Sequence, residues 1–203
     1  MKKQLTEIIF ILDKSGSMYP VVDDTIGGFN STIEKQKEIE GECLISTILF
    51  NNDSQILHDR VNLQTIKPLT KKDYEVSGCT ALLDAVGDAI NLISTVHKYI
   101  REEDKPEKTM FIITTDGMEN ASRKFSYQDI KKLISSKQEE GWEFIFLGAN
   151  IDAYEEGKKF GLEEDHICEY KQDAEGVKQQ YARMEKVMKQ VRRDRKVDLS
   201  WKD

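Results

Sequence analysis

The chain is 203 residues long, 38% hydrophobic and 33% charged, which describes one globular domain with a sizeable core and a heavily solvated surface. A formal net charge of −7 and a pI near 5.2 weigh against nucleic acid as the main partner, since phosphate binders gain affinity from a basic face. Three cysteines, Cys43, Cys79 and Cys168, are odd in number and form no C-x-x-C pair, so they suggest neither a zinc site nor a disulfide framework and suit a reducing cytoplasm.

Met1-Lys2-Lys3 ahead of Ile8-Ile9-Phe10-Ile11-Leu12 imitates a secretion signal. The apolar run is only five residues long, with Glu7 before it and Asp13 after it. A signal needs about 7–15 apolar residues, and no stretch approaches the ~18 of a membrane span. The run reads instead as a strand buried on both faces. Asp13 to Tyr19 is a Ser- and Gly-containing loop, and Pro20 suits the first turn of a helix that reaches about Ile39 and stops at Gly41. Leu44 to Phe50 is a second strand, and Ser54 to Val61 is its hairpin partner across the Asn51–Ser54 turn. Leu82, Val86, Ala89, Ile93, Val96 and Ile100 keep helical spacing over 81–100. Met110 to Thr114 and Phe144 to Leu147 repeat the buried-strand pattern. Helices follow at Tyr127 to Gln138 and Ala153 to Phe160, with a last strand at His166 to Tyr170. Strands alternating with helices predict an α/β fold: a doubly wound, mostly parallel sheet with one antiparallel edge strand and helices on both faces.

In such sheets ligands sit beyond the carboxyl ends of the strands, where strand order reverses. Three loops there carry oxygen donors. Asp13-Lys14-Ser15-Gly16-Ser17 offers a carboxylate and two hydroxyls, Thr115-Asp116-Gly117 a second carboxylate, and Gly78-Cys79-Thr80 a hydroxyl just before the long helix. Two carboxylates with three hydroxyls form a hard donor set that suits Mg²⁺, Mn²⁺ or Ca²⁺ rather than zinc or copper. Neutral hydroxyls leave the ion electrophilic, so a partner's carboxylate makes a strong final ligand. Taken singly, each residue has an ordinary role: Thr80 as a helix N-cap, the serines as loop residues, Asp116-Gly117 as a turn. A D-x-S-x-S string alone arises by chance in roughly one chain in twenty of this length, so the weight lies on the joint placement.

These residues together resemble the metal-ion-dependent adhesion site (MIDAS) of von Willebrand factor A (vWA) domains, with its D-x-S-x-S, its later Thr and its T-D-G turn. The resemblance runs from Ile8 to about Tyr170 and implies Asp13, Ser15, Ser17, Thr80 and Asp116 as metal residues. Ser15 and Ser17 would then bind directly, and Thr80 and Asp116 directly or through water. It further implies that Asp13 and Asp116 are neighbours, that Mg²⁺ is the cation, with Mn²⁺ or Ca²⁺ possible, and that a partner protein binds through an Asp or Glu. Intracellular members of the tellurium-resistance or stress type suggest an AAA-type ATPase or a stress-system component as that partner. Cys79 stands where many relatives have a second Gly, either crowding the loop or bringing a thiol near the ion.

The expected division is a vWA domain over 1–172 and a C-terminal amphipathic helix with a basic tail over 173–203. Val177, Tyr181, Met184, Met188 and Val191 form a stripe that packs on its own domain or on a second copy. Arg192-Arg193-Asp194-Arg195-Lys196 reads as a solvated cluster at the helix's negative end, with an acidic or nucleic-acid contact as the alternative. His58, His97 and His166 lack ligand spacing and read as structural or surface residues. The resulting expectation is a cytoplasmic, non-catalytic, metal-dependent protein-binding module without a membrane or nucleic-acid partner. The alternative is a Mg²⁺-dependent phosphatase or other phosphoryl-transfer enzyme. Such phosphatases carry an acid two positions after a nucleophilic Asp, where this chain has Ser15, and no P-loop is present.

Overall fold

The computed structural model describes residues 2–193 and 197–203. Six strands, β1 (Lys2–Asp13), β2 (Glu42–Phe50), β3 (Ser54–Asn62), β4 (Pro106–Thr115), β5 (Glu143–Ala149) and β6 (Ile167–Tyr170), form one sheet in the order β3-β2-β1-β4-β5-β6. All neighbouring pairs are parallel except β2 with β3, which makes β3 the antiparallel edge. The mostly parallel sheet with one antiparallel edge strand is therefore as expected.

Five α-helices cover the two faces: α1 (Val22–Lys37), α2 (Leu82–Tyr99), α3 (Tyr127–Glu139), α4 (Ala153–Lys159) and α5 (Ala174–Arg193). Alternation along β1 divides the core. Ile8, Phe10 and Leu12 join Phe29 and Ile33 of α1 and the α5 stripe, whereas Ile9 and Ile11 join α2, α3 and α4. Because α2 connects β3 to β4 while α1 connects β1 to β2, strand order reverses between β1 and β4. Their carboxyl ends therefore flank the crevice where ligands of this architecture sit.

Two elements differ from the sequence reading. The first strand is 12 residues long, not five, because the polar segment before Ile8 also pairs, through a register shift between Lys2 and Thr6 against β4. The first helix begins as a 3-10 segment, Gly16–Val21, with Pro20 inside it, and the α-helix proper ends at Lys37. Glu38 and Ile39 continue with i→i+3 bonds to Lys35 and Gln36, and Gly41 takes φ +101°.

Val177, Tyr181, Met184, Met188 and Val191 are buried against the β1–α1 side of the core, so the stripe faces its own sheet and not a second copy. Tyr181 lies so close to Gly28 of α1 that a Cβ there would sit 2.2 Å from its ring. Arg192 is not solvated as expected. Its guanidinium donates to the carbonyls of Gln36 (2.5 Å), Ile39 (2.9 Å) and Gly41 (3.0 Å), where a cation meets the negative end of α1. Asp194, Arg195 and Lys196 of the expected basic cluster lie outside the described residues. Beyond them Trp201 is fully buried and donates to the Asp165 carbonyl at 3.0 Å.

The histidines all sit in structural contacts. His58 Nδ1 meets Thr47 Oγ1 at 3.0 Å, and His166 bridges Asp165 (2.5 Å) and Glu143 (3.1 Å). His97 lies 2.5 Å from Glu7, a fully buried carboxylate on β1 that also meets Arg60 at 2.6 Å. Among the described residues no helix is long and apolar enough to cross a membrane.

Candidate metal centre

Asp13 ends β1, and Asp116 follows directly on β4, its neighbour in the sheet. The two aspartates therefore come together because adjacent parallel strands end side by side. Ser15 lies in the turn after β1, where its N–H donates to Asp13 Oδ1 at 2.7 Å. Its hydroxyl is 3.1 Å from that of Ser17, which in turn donates to Asp116 Oδ1 at 2.7 Å. Thr80 reaches the same place from the loop before α2. A Cβ built on Gly117 would sit 3.4 Å from Thr80 Oγ1 and 3.9 Å from Ser17 Oγ.

The capping role considered for Thr80 does not hold, since the helix begins at Leu82 with Ala81 at the N-cap position and no side-chain cap bond. The first-turn N–H groups find other acceptors: Leu83 donates to Glu119 (2.9 Å) and Asp84 to the Ser122 hydroxyl (3.0 Å). All five expected residues thus converge on one crevice at the carboxyl end of the sheet.

The loops are tied to one another through the backbone. Lys14 N–H donates to the Phe50 carbonyl (2.7 Å), Ser77 N–H to Lys14 (2.9 Å), and Gly16 N–H to Gly78 (3.1 Å). Gly78 has φ +75°, and a Cβ there would fall 2.1 Å from Asn52 Oδ1, which accepts the Cys79 N–H at 3.0 Å. Only glycine meets both demands. Asn120 is exposed, yet its Oδ1 accepts the Thr80 N–H at 2.9 Å and its own N–H donates to the Thr80 carbonyl at 3.1 Å. Cys79 is exposed, while Cys43 and Cys168 are buried.

Several supports carry no sequence signal. Thr115 donates its hydroxyl to Asp13 Oδ2 at 2.7 Å, and the buried Tyr74 hydroxyl donates to the Asp13 carbonyl. Asp84 accepts the N–H groups of Arg123 (2.8 Å), Lys124 (2.9 Å) and Phe125 (3.1 Å), which pins the segment after Asp116 to α2. Gln172, between β6 and α5, donates to the Ser17 carbonyl at 2.7 Å and to Asp116 Oδ2. These contacts join residues tens of positions apart, and side chains such as Thr, Tyr and Gln are common enough that no local pattern marks them.

The electrostatics follow from burial. Asp13 is 0% and Asp116 3% exposed. Desolvation raises Asp13 above its ordinary value against the bonds from Thr115 and Ser15. Desolvation also pushes Asp116 up to about 6, with the Asp13 charge adding to it and the Ser17 bond opposing it. Among the described residues, no cationic side chain is one of the leading influences on either. Two like charges thus share a desolvated crevice with three hydroxyls, and Ser17 keeps the crevice open to solvent. A divalent cation would supply a countercharge, and oxygens of this kind fit a hard ion. Among the described residues no group of three or more His, Cys, Asp or Glu is placed to hold a metal, so hydroxyls would have to complete any shell here.

The fold can be compared with solved structures. A metal-loaded form of proximal thread matrix protein 1 from the mussel byssus, with a zinc-occupied MIDAS motif, superposes with a TM-score of 0.63 at 13% identity over 91% of this chain and 46% of its own. A von Willebrand factor type A protein from Catenulispora acidiphila gives 0.57 at 15% identity over 90% and 42%. The manganese-loaded TRAP protein of Plasmodium vivax gives 0.59 at 14% identity over 88% and 72%. The chain has the vWA fold. It spans less than half the length of the mussel and Catenulispora proteins. No family model matches the chain, and no curated protein matches its sequence. In the vWA fold the carboxyl ends of β1 and β4 face the crevice in which all five expected residues meet.

Proposed function

We propose that this chain is a non-catalytic, metal-dependent protein-binding module. In this reading Asp13, Ser15, Ser17, Thr80 and Asp116 hold a divalent cation, Mg²⁺ first and Mn²⁺ or Ca²⁺ as alternatives, which captures an Asp or Glu side chain of a partner protein. The observation that carries it is the pair of buried aspartates brought together with three hydroxyls at the strand-order reversal. The cation would supply positive charge and exchangeable coordination positions. Asp13 and Asp116 would neutralise it in part, and the neutral hydroxyls would leave it able to take a further carboxylate.

The surroundings support recognition of a protein surface. Tyr19 and Met118, two residues past Ser17 and Asp116, are 78% and 63% exposed, so apolar side chains flank the crevice. A cavity of about 570 Å³ opens at the opposite end of β1, among Gln4, Gly41, Glu107 and Arg192, away from these residues. The phosphatase alternative asks Asp13 to attack a phosphorus. Both its oxygens are instead engaged, by the Ser15 N–H and the Thr115 hydroxyl, and the side chain is fully buried. The net charge of −7 supports a partner other than nucleic acid or an anionic membrane. A cytoplasmic setting, and an AAA-type ATPase or stress-system component as partner, complete the proposal.

The test is selection from a library of displayed peptides in the presence of Mn²⁺. Recovered sequences are expected to carry an Asp or Glu at one shared position, and their binding to disappear in EDTA and with Ser15→Ala. Peptides that bind equally well in EDTA would overturn the proposal.

A further inference from the structure

Gln172 lies outside the D-x-S-x-S, Thr and T-D-G residues, yet it touches two of the three loops that carry them. It is half-buried in the connection between β6 and α5. One N–H of its amide faces the Ser17 carbonyl at 2.7 Å, and the other faces Asp116 Oδ2. Its carbonyl oxygen accepts from the side-chain amide of Asn150, a non-glycine residue in the left-handed region with φ 53°. Two acceptors on one side and a donor on the other fix which way the amide points and use both its N–H groups. The Ser17 hydroxyl takes Asp116 Oδ1, so both oxygens of that carboxylate are engaged.

We propose that Gln172 is a positioning residue that holds Asp116 Oδ2 away from direct bonding to the cation. This rests on the metal-binding reading above. With Oδ1 held by Ser17 and Oδ2 by the amide, Asp116 would reach the ion only through water. The ion then keeps more of its charge, and more exchangeable water, for a partner's carboxylate. The amide–carboxylate bond is charge-assisted and therefore costly to break. Asn150 acts behind it by fixing the orientation of the amide.

The consequence has a sign that simple structural support does not share. Loss of a supporting bond loosens a metal site. Loss of this one frees an anionic oxygen to close on the ion, so metal binding tightens. The experiment is Mn²⁺ titration of the full chain by calorimetry, with water-proton relaxation reporting the exchangeable waters on the bound ion. Gln172→Ala is expected to bind Mn²⁺ roughly tenfold more tightly and with fewer exchangeable waters. Asn150→Gly, which keeps the backbone conformation, is expected to shift both in the same direction by less. Unchanged or weaker Mn²⁺ binding in Gln172→Ala, with the wild type binding normally, overturns the role given to Gln172 alone. Failure of both proteins to take up Mn²⁺ overturns the metal reading and this proposal together.

Discussion

At pH 7.5 in EDTA, Asp116→Asn is expected to unfold at a higher temperature than the wild-type chain. Burial and the Asp13 charge raise Asp116 from its ordinary 3.8 to about 6. A carboxyl raised in this way binds its proton more tightly in the folded chain, so ionisation costs stability. That cost is absent below about pH 4, builds between about 4 and 6, and is complete above 6. Its size at neutral pH is about 3 kcal/mol, worth about 2–4 °C of unfolding midpoint per kcal/mol in a chain of this length. Asparagine removes the charge and keeps the shape: its oxygen accepts from Gln172, and its amide donates to Ser17 Oγ. The advantage of the variant should shrink as pH falls toward 4, and saturating Mn²⁺ should reverse the order. A variant less stable than wild type in EDTA at every pH would mean that burial and the Asp13 charge do not hold Asp116 above its ordinary value in the folded chain.

The second large effect lies far from the crevice. Glu7→Ala is expected to destabilise the fold by about 3 kcal/mol or more, because it leaves Arg60 and His97 without the carboxylate between them. Glu7 is fully buried, while Arg60 and His97 keep 16% and 14% of their side chains exposed. The loss therefore falls toward the lower end of what a broken interior pair costs. Chemical denaturation of the variant at neutral pH measures it directly. A change under 1 kcal/mol would show that water reaches Arg60 and His97 well enough to replace Glu7.

Glu7 also shows what a sequence does and does not disclose. The apolar run after it marks a buried strand. No local pattern says that residues on β3 and α2 converge on it. The same holds at the crevice. Asp13, Ser15, Ser17, Thr80 and Asp116 were legible because each sits at a strand end or helix start, where hydrophobic periodicity breaks off at a definite residue. That Asp13 and Asp116 meet came from the family resemblance, which implies the strand order, and not from the periodicity itself. Gln172, Tyr74 and Thr115 act through long-range contacts that depend on strand register, so they were not. The α5 stripe was visible as a pattern, but not its fit against α1, where the missing side chain of Gly28 admits the Tyr181 ring. Trp201 gave no warning at all, since a lone aromatic near a charged tail has no periodicity to place it.

The most direct measurement is the thermal unfolding midpoint of wild type and Asp116→Ala, each in EDTA and in millimolar Mn²⁺ at pH 7.5. A cation at ~100 times its dissociation constant adds ~2.7 kcal/mol. For a chain of this length that is a rise of about 5–11 °C in wild type, with a clearly smaller one in the variant. Equal wild-type midpoints in EDTA and Mn²⁺ would contradict the account, because two buried aspartates left without a countercharge should gain from any divalent ion that reaches them.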